Sequence, residues 1–491
     1  MKPAKILLFV LSIMAILLIM AFFFPSDGIR ITKKFPLSFP NIHSLTTLSP
    51  KKKLSKNILQ QLKETQRIAK QTNKDDTSII NKDSIKNIGI DSKQLEKHIL
   101  PIEYKNNTGK EKLFAFFRKI KKRNQLLRIL HYADSQTEGD RITSFLRYKL
   151  QGKFGGSGPG LIPPINFVNS FSINQENSGN WLRYSIMNRN KYNFTHNKWG
   201  VLASFARYKS YNDSDTTVQT AWLRFSKSPI AFSNTRHFRK FHLFYGNNTK
   251  SVVLQLFAGK QLIDFTSLSP TEFGVYSTTI PNNPEDITVK FLGADSPDIY
   301  AVAFDNNTGL AVDNISVRGA SGTFFTKINY EHLSKFYKQL NIGMVILEFG
   351  GNTLPYFKDS AACERYGNYF LAQIYRIQHI LPKVPIIVIG VADMSIKEKT
   401  EFVTYPLLEE LRNEMKRAAF KSGCGYWDMY EAMGGKNSMP AWVAAKPPLA
   451  APDYTHFSSR GANVIANMFY NALIKEYNEW EKDNETKTIS K

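Results

Sequence analysis

At 491 residues the chain exceeds the usual reach of one hydrophobic core, so two folded units plus accessory segments are expected. Apolar residues at 42% and charged residues at 22% exclude a disordered or fibrous chain, and 65 Lys and Arg against 41 Asp and Glu, a net charge of +24, favour anionic surroundings. The basic residues lie at 51–53, 119–123 and 236–240 without the aromatic interleaving of a nucleic-acid module, so no nucleic-acid partner is expected.

Residues 6–24 are uncharged and almost wholly apolar, follow Lys2 and Lys5, and as a helix are long enough to cross a hydrocarbon core. Phe22-Phe23-Phe24-Pro25 is too bulky for a cleavage site, so residues 1–25 read as a retained transmembrane anchor with the body outside the cytoplasm, on the periplasmic side. Residues 26–110 are polar with thinly scattered apolar positions and read as a juxtamembrane spacer. Residues 126–132 (L-L-R-I-L-H-Y) have the length and apolarity of a strand. They lead through A-D-S-Q into a helical pattern over 140–150, which the glycines of 155–160 terminate. These glycines close a helix, whereas a dinucleotide site needs them to open one, so G-x-G-x-x-G is discounted.

From 165 to about 306 the texture changes to short, alternating, aromatic-rich runs near 221–225, 238–245, 251–257, 275–280 and 287–292, separated by Gly246-Asn247-Asn248 and Pro281-Asn282-Asn283. Short strands at regular spacing predict a β-sandwich of jelly-roll type. After residue 310, strands near 311–317, 344–349, 385–389 and 425–427 alternate with helices near 330–340, 361–380, 406–421 and 459–477. That alternation predicts a doubly wound parallel sheet in three layers, with the sandwich inserted in it. The domains expected are 1–25 anchor, 26–110 spacer, 111–164 and 311–480 the two parts of the α/β body, 165–310 the insertion and 481–491 a polar tail. Cys363 and Cys424 leave room for at most one disulfide and read better as two buried thiols.

In such sheets ligands gather at the carboxyl ends of the strands, where four junctions stand out. Ser135 in A-D-S-Q ends a strand just before a helix, where an alkoxide would be stabilised, although Asp134 or Ser135 could equally cap that helix. Gly322, or Gly319 three residues earlier, lets a backbone N–H approach a substrate oxygen, and Asn352 in G-G-N can donate to the same oxyanion. Asp453-Tyr454-Thr455-His456 places a base beside a carboxylate that can fix its tautomer.

Together these junctions resemble the blocks of the SGNH, or GDSL-like, hydrolase family, over about 126–160 and 310–470. The resemblance implies a Ser135, His456, Asp453 triad, with an oxyanion hole from Ser135, Gly322 and Asn352 and no metal or organic cofactor. The sequence departs in having Ala133 where the family usually has Gly, which a negative φ would tolerate. The strings H-Y-A-D-S-Q-T-E-G-D-R, F-G-G-S-G-P-G and Y-W-D-M-Y-E-A-M-G-G resemble a subset with a carbohydrate-binding-like β-sandwich inserted after the first block. That subset includes peptidoglycan O-acetylesterases, which implies removal of acetyl groups from an acetylated envelope glycan. The rival expectations are an O-acetyltransferase with a sugar hydroxyl in place of water, and a glycan-binding protein with an idle site. Trp181, Trp199 and Trp222 could stack on sugars but read better as core.

Overall fold

The computed structural model describes residues 3–24, 29–32, 35–37, 52–72 and 99–489, apart from 193, 212 and 214. Lys2, the remainder of the range read as spacer, and residues 490 and 491 of the tail lie outside the described residues. Five parallel strands form the central sheet: β1 Leu126–Ala133, β2 Gly309–Ser316, β3 Ile342–Glu348, β4 Ile386–Ile389 and β5 Gly425–Trp427. Their order is β2-β1-β3-β4-β5, the doubly wound arrangement whose switch point lies between β1 and β3. The principal helices are α1 Pro3–Phe23, α2 Lys56–Thr72, α3 Asn107–Lys122, α4 Thr143–Phe154, α5 Tyr330–Leu340, α6 Ser360–Ile380, α7 Leu408–Lys421 and α8 Ser459–Ile489.

The strands are apolar almost throughout because helices cover both faces. Leu130 and Tyr132 of β1 join one core with Phe336, Ile374 and Met415 of α5, α6 and α7. Leu127 and Ile129, pointing the other way, join Phe117, Phe145 and Phe469 of α3, α4 and α8 in a second core. Cys363 and Cys424 are free, buried thiols in the first. Within the range read as spacer, the chain docks twice on this body. Helix α2 buries Ile58, Gln61, Leu62 and Thr65, and the Asn467 amide of α8 donates to Gln61 and Glu64 at 2.6 and 3.0 Å. Glu103 then pairs antiparallel with Tyr426 at the edge of β5. At the other end, α8 runs on through most of the expected tail.

Between α4 and β2 lie two antiparallel sheets. One has the order Gln261–Leu268, Val252–Ala258, Asp286–Gly293, Gln219–Lys227, Ile173–Asn177. The other has the order Gly274–Thr279, Lys240–Gly246, Asp298–Asp305, Ser204–Arg207, Leu182–Ser185, with Gly160–Ile162 also paired to Asp298–Asp305. Alternate residues Ala221, Leu223 and Phe225 of the first sheet meet Phe241, Leu243, Val302 and Phe304 of the second in one apolar cluster. The second sheet turns its other face to the body, where Phe244 and Tyr300 lie 5.7 and 5.3 Å from the Phe336 ring of α5. The expected asparagine turns are present, with Asn247, Asn282 and Asn283 at φ 50, 56 and 45°, a region asparagine tolerates. Trp199 is buried in the first core of the body. Trp181 and Trp222 are partly buried, with Trp181 Nε1 donating to the Trp222 carbonyl at 3.1 Å.

Candidate active site

The carboxyl ends of β1 and β3 open into a cleft of about 450 Å³ lined by Ser135, Asn352, Asp453 and His456, among others. Asp134 closes the end of β1: its Oδ1 accepts the Gln136 N–H at 2.9 Å and so caps the single-turn 3₁₀ segment that starts at Ser135. The cap is therefore Asp134, which leaves the serine side chain to point elsewhere. Gly139 and Asp140, both at φ 69°, interrupt the turn, so the regular helix expected from 140 starts only at Thr143. Ala133 is fully buried and is not among the positive-φ residues, so its methyl group is accommodated.

Ser135 Oγ lies 2.9 Å from His456 Nε2, and His456 Nδ1 lies 2.8 Å from Asp453 Oδ2. Asp453 Oδ1 accepts the backbone N–H groups of Thr455 and His456, both at 3.0 Å. Burial works to raise the Asp453 pKa, but the hydrogen bonds from His456 and Thr455 outweigh it and hold the carboxyl below its usual range. The D-x-x-H spacing thus makes a tight loop in which one carboxylate grips both the backbone and the imidazole.

Asn352 Nδ2 donates to Asp134 Oδ2 at 2.9 Å and to the Ala320 carbonyl at 3.1 Å, which joins the third junction to the first and second. Gly322 (φ 74°) is the more constrained of the two candidate glycines: a Cβ there would come within 2.6 Å of the Phe349 ring, whereas at Gly319 it would meet nothing within 4 Å. Gly322 sits behind Phe349 and is not one of the residues lining the cleft.

Several groups at the site carry no signature of their own in the sequence. The Gln136 side chain donates to Thr455 O at 2.7 Å and accepts from Phe457 N at 3.4 Å, and Arg141 donates to the carbonyls of Ser135 and Phe457. Both tie the Ser135 turn to the His456 loop, and both lie inside the string H-Y-A-D-S-Q-T-E-G-D-R. A hairpin, Ser395–Glu398 with Glu401–Thr404, buttresses that loop: Ser395 N donates to Tyr454 O at 2.9 Å, and Phe402 stacks on Tyr454 with ring centroids 3.6 Å apart. Tyr356, 81% exposed, stands on the rim of the cleft.

No protein-family model matches the sequence, and no curated protein matches it. Among solved structures, a peptidoglycan O-acetylesterase overlays on 77% of this chain and 99% of its own at TM-score 0.60 and 19% identity. The chain shares the fold of that esterase. The resemblance read from the junctions is thereby borne out at the level of fold. Two other structures overlay weakly. The Pseudoalteromonas esterase EstA covers 34% of this chain and 79% of its own at 12% identity and TM-score 0.26. A Corynascus carbohydrate esterase of family 2 with a carbohydrate-binding domain covers 54% and 97% at 11% identity and TM-score 0.26.

Beneath Ser135 runs a buried polar chain. His131 Nε2 lies 3.0 Å from Glu348 Oε2 and His131 Nδ1 lies 2.9 Å from Thr143 Oγ1, while among the described residues Glu348 Oε1 has no partner. Burial raises the Asp134 pKa to about 7, the Glu348 charge adding to it and the Gln136 N–H, the Asn352 amide and Arg141 acting against it. Folded protein thus keeps this proton between the ordinary carboxylate value and about pH 7, where the unfolded chain has lost it. The associated stability is complete below that window and is lost as pH rises through about 7. Asp134→Asn cannot titrate, so the stability of wild type relative to the variant falls between pH 5 and 8, by up to about 3 kcal/mol. Thermal unfolding of both proteins across that range measures it, and a difference independent of pH would contradict the assignment.

Proposed function

We propose that the chain is an extracytoplasmic serine esterase that removes O-acetyl groups from a cell-envelope glycan, with peptidoglycan as the substrate. The observation that carries this reading is the unbroken relay from Ser135 Oγ through the His456 ring to Asp453 at the carboxyl edge of the sheet. His456 takes the Ser135 proton, and the oxygen attacks the acetyl carbonyl. The oxyanion is held by the Ser135 N–H and the Asn352 amide. Collapse expels the sugar oxygen, which takes the proton from His456 and leaves an acetyl group on Ser135. Water, deprotonated by His456, then releases acetate. Both Asn352 N–H groups are engaged in the resting site, so one is exchanged for the oxyanion as charge develops.

The fold shared with a peptidoglycan O-acetylesterase supports the choice of glycan. Tyr356 offers an exposed flat face to a sugar ring at the cleft rim. The two antiparallel sheets serve as an inserted β-sandwich of jelly-roll type, residues 165–310, that helps hold the glycan. Helix α1, 21 residues with exposed apolar side chains all round, is about 31 Å long and serves as the membrane tether, Lys5 on the cytoplasmic side.

The full chain in detergent, given O-acetylated peptidoglycan and acetylated xylan in parallel, is expected to release acetate faster from the first. Equal rates or no release from peptidoglycan would remove that substrate, and acetyl groups appearing on an added sugar in place of free acetate would mark a transferase.

A further inference from the structure

A second cleft, of about 290 Å³, flanks the nucleophile turn. Residues 134–136 line the active-site cleft and residues 138–140 line this one. Three residues span at most about 10 Å, so the edge of the second cleft lies within two sugar rings of Ser135. Its volume is at the lower end of small-molecule sites. One wall belongs to the strand Leu182–Ser185. Strand alternation sends Tyr184 into the apolar core and turns Arg183 and Ser185 to the cleft, with Ser204 paired opposite Ser185.

Five charged side chains line the cleft: Glu138, Asp140, Arg147, Arg183 and Arg318. Arg147 is fully buried and held by Asp140 at 2.6 and 3.3 Å, and Arg318 meets Glu138 at 3.3 Å. Three cations against two carboxylates leave one positive charge over, and it is Arg183. Among the described residues its guanidinium has no hydrogen bond or ion pair, and its Nε is buried without a partner. Burial lowers its pKa, with only Tyr192 acting the other way. An unpaired guanidinium whose Nε is cut off from water is costly, and its planar fork of donors matches a carboxylate.

We propose that this cleft is a carboxylate subsite, in which Arg183 receives a carboxylate borne by the glycan, on the sugar itself or on a peptide attached to it. The proposal rests on the esterase reading for the position of the ester, but its binding chemistry is independent of turnover. The test uses the full chain in detergent and titration calorimetry with N-acetylmuramic acid, N-acetylmuramoyl-alanine and the carboxamide of each.

One or both acids are expected to bind about ten- to a hundredfold more tightly than the corresponding carboxamide, the range for a charge-assisted hydrogen bond. The acid that shows the preference identifies the sugar or the peptide as the source. Arg183→Gln, with an unchanged melting midpoint, is expected to erase that preference. If that variant melts early, Arg183→Lys, which keeps the charge without the fork, is expected to weaken it. Acids and carboxamides bound alike by the wild type, no binding of either acid, or a preference that survives the change at Arg183 would overturn the subsite. Failure to hydrolyse 4-nitrophenyl acetate would instead count against the esterase reading.

Discussion

Ser135→Ala lowers the turnover of 4-nitrophenyl acetate by about 10⁴-fold or more, and His456→Ala lowers it nearly as far. The magnitude follows from the relay: without the serine oxygen no acyl intermediate forms, and without the imidazole the serine stays a protonated, weak nucleophile. Because both variants remove the same proton transfer, the double variant is expected to be no worse than Ser135→Ala alone, where independent effects would multiply. Asp453→Asn costs less than either, because the Asp453 side chain is 50% exposed and water can take over part of its role beside the imidazole. Asn352→Ala removes one proposed oxyanion donor and is expected to lose about 10²- to 10³-fold. Steady-state kinetics on the detergent-solubilised chain measures all of these. Undiminished turnover in Ser135→Ala and His456→Ala would remove the mechanism.

The relay was legible because each member sits in a short string at a strand end, where a serine, an asparagine or a D-x-x-H stands out against an apolar run. The polar chain behind it was not. His131 and Glu348 lie inside L-L-R-I-L-H-Y and M-V-I-L-E-F, 217 positions apart, and only the register of β1 beside β3 brings them together. The same limit applied in the antiparallel sheets. Gln219–Lys227 alternates between buried and partly exposed positions and was foreseen, whereas Asp298–Asp305 is buried at every position, lying between one sheet and the body, and shows no period to read. The docking of α2 escaped a reading by composition because its buried face mixes Gln61 and Thr65 with Ile58 and Leu62, their partners lying some 400 positions away on α8. The hairpin over Tyr454 was missed because S-I-K-E and E-F-V-T are each only four residues long.

The lone arginine of L-L-R-I-L-H-Y leads to the largest stability effect expected in the molecule. Arg128, 3% exposed, donates to Asp313 of β2 at 2.8 Å and to Asp305 at the end of the strand Asp298–Asp305, both carboxylates fully buried. It therefore pins the antiparallel sheets to the central sheet. Asp313 Oδ1 also accepts the Leu161 N–H at 2.7 Å, on the strand that links the two parts. Burial raises both carboxylate pKa values, with Arg128 the leading influence against it, so removing the guanidinium leaves two buried charges with only the Leu161 N–H and the more distant Arg147 to offset them. Arg128→Met keeps most of the volume and is expected to cost about 3 to 5 kcal/mol, the range for breaking a buried ion pair from one side. At 2 to 4 °C per kcal/mol this lowers the melting midpoint by roughly 6 to 20 °C. In the variant the two carboxyl groups take up protons more readily, so the folded form holds protons that the unfolded chain releases, and the deficit shrinks as pH falls from 8 to 5. Adding Asp305→Asn and Asp313→Asn to Arg128→Met removes the stranded charges and is expected to recover much of the loss. A pH-independent deficit, or no gain from the triple replacement, would mean that Arg128 contributes packing and not charge compensation.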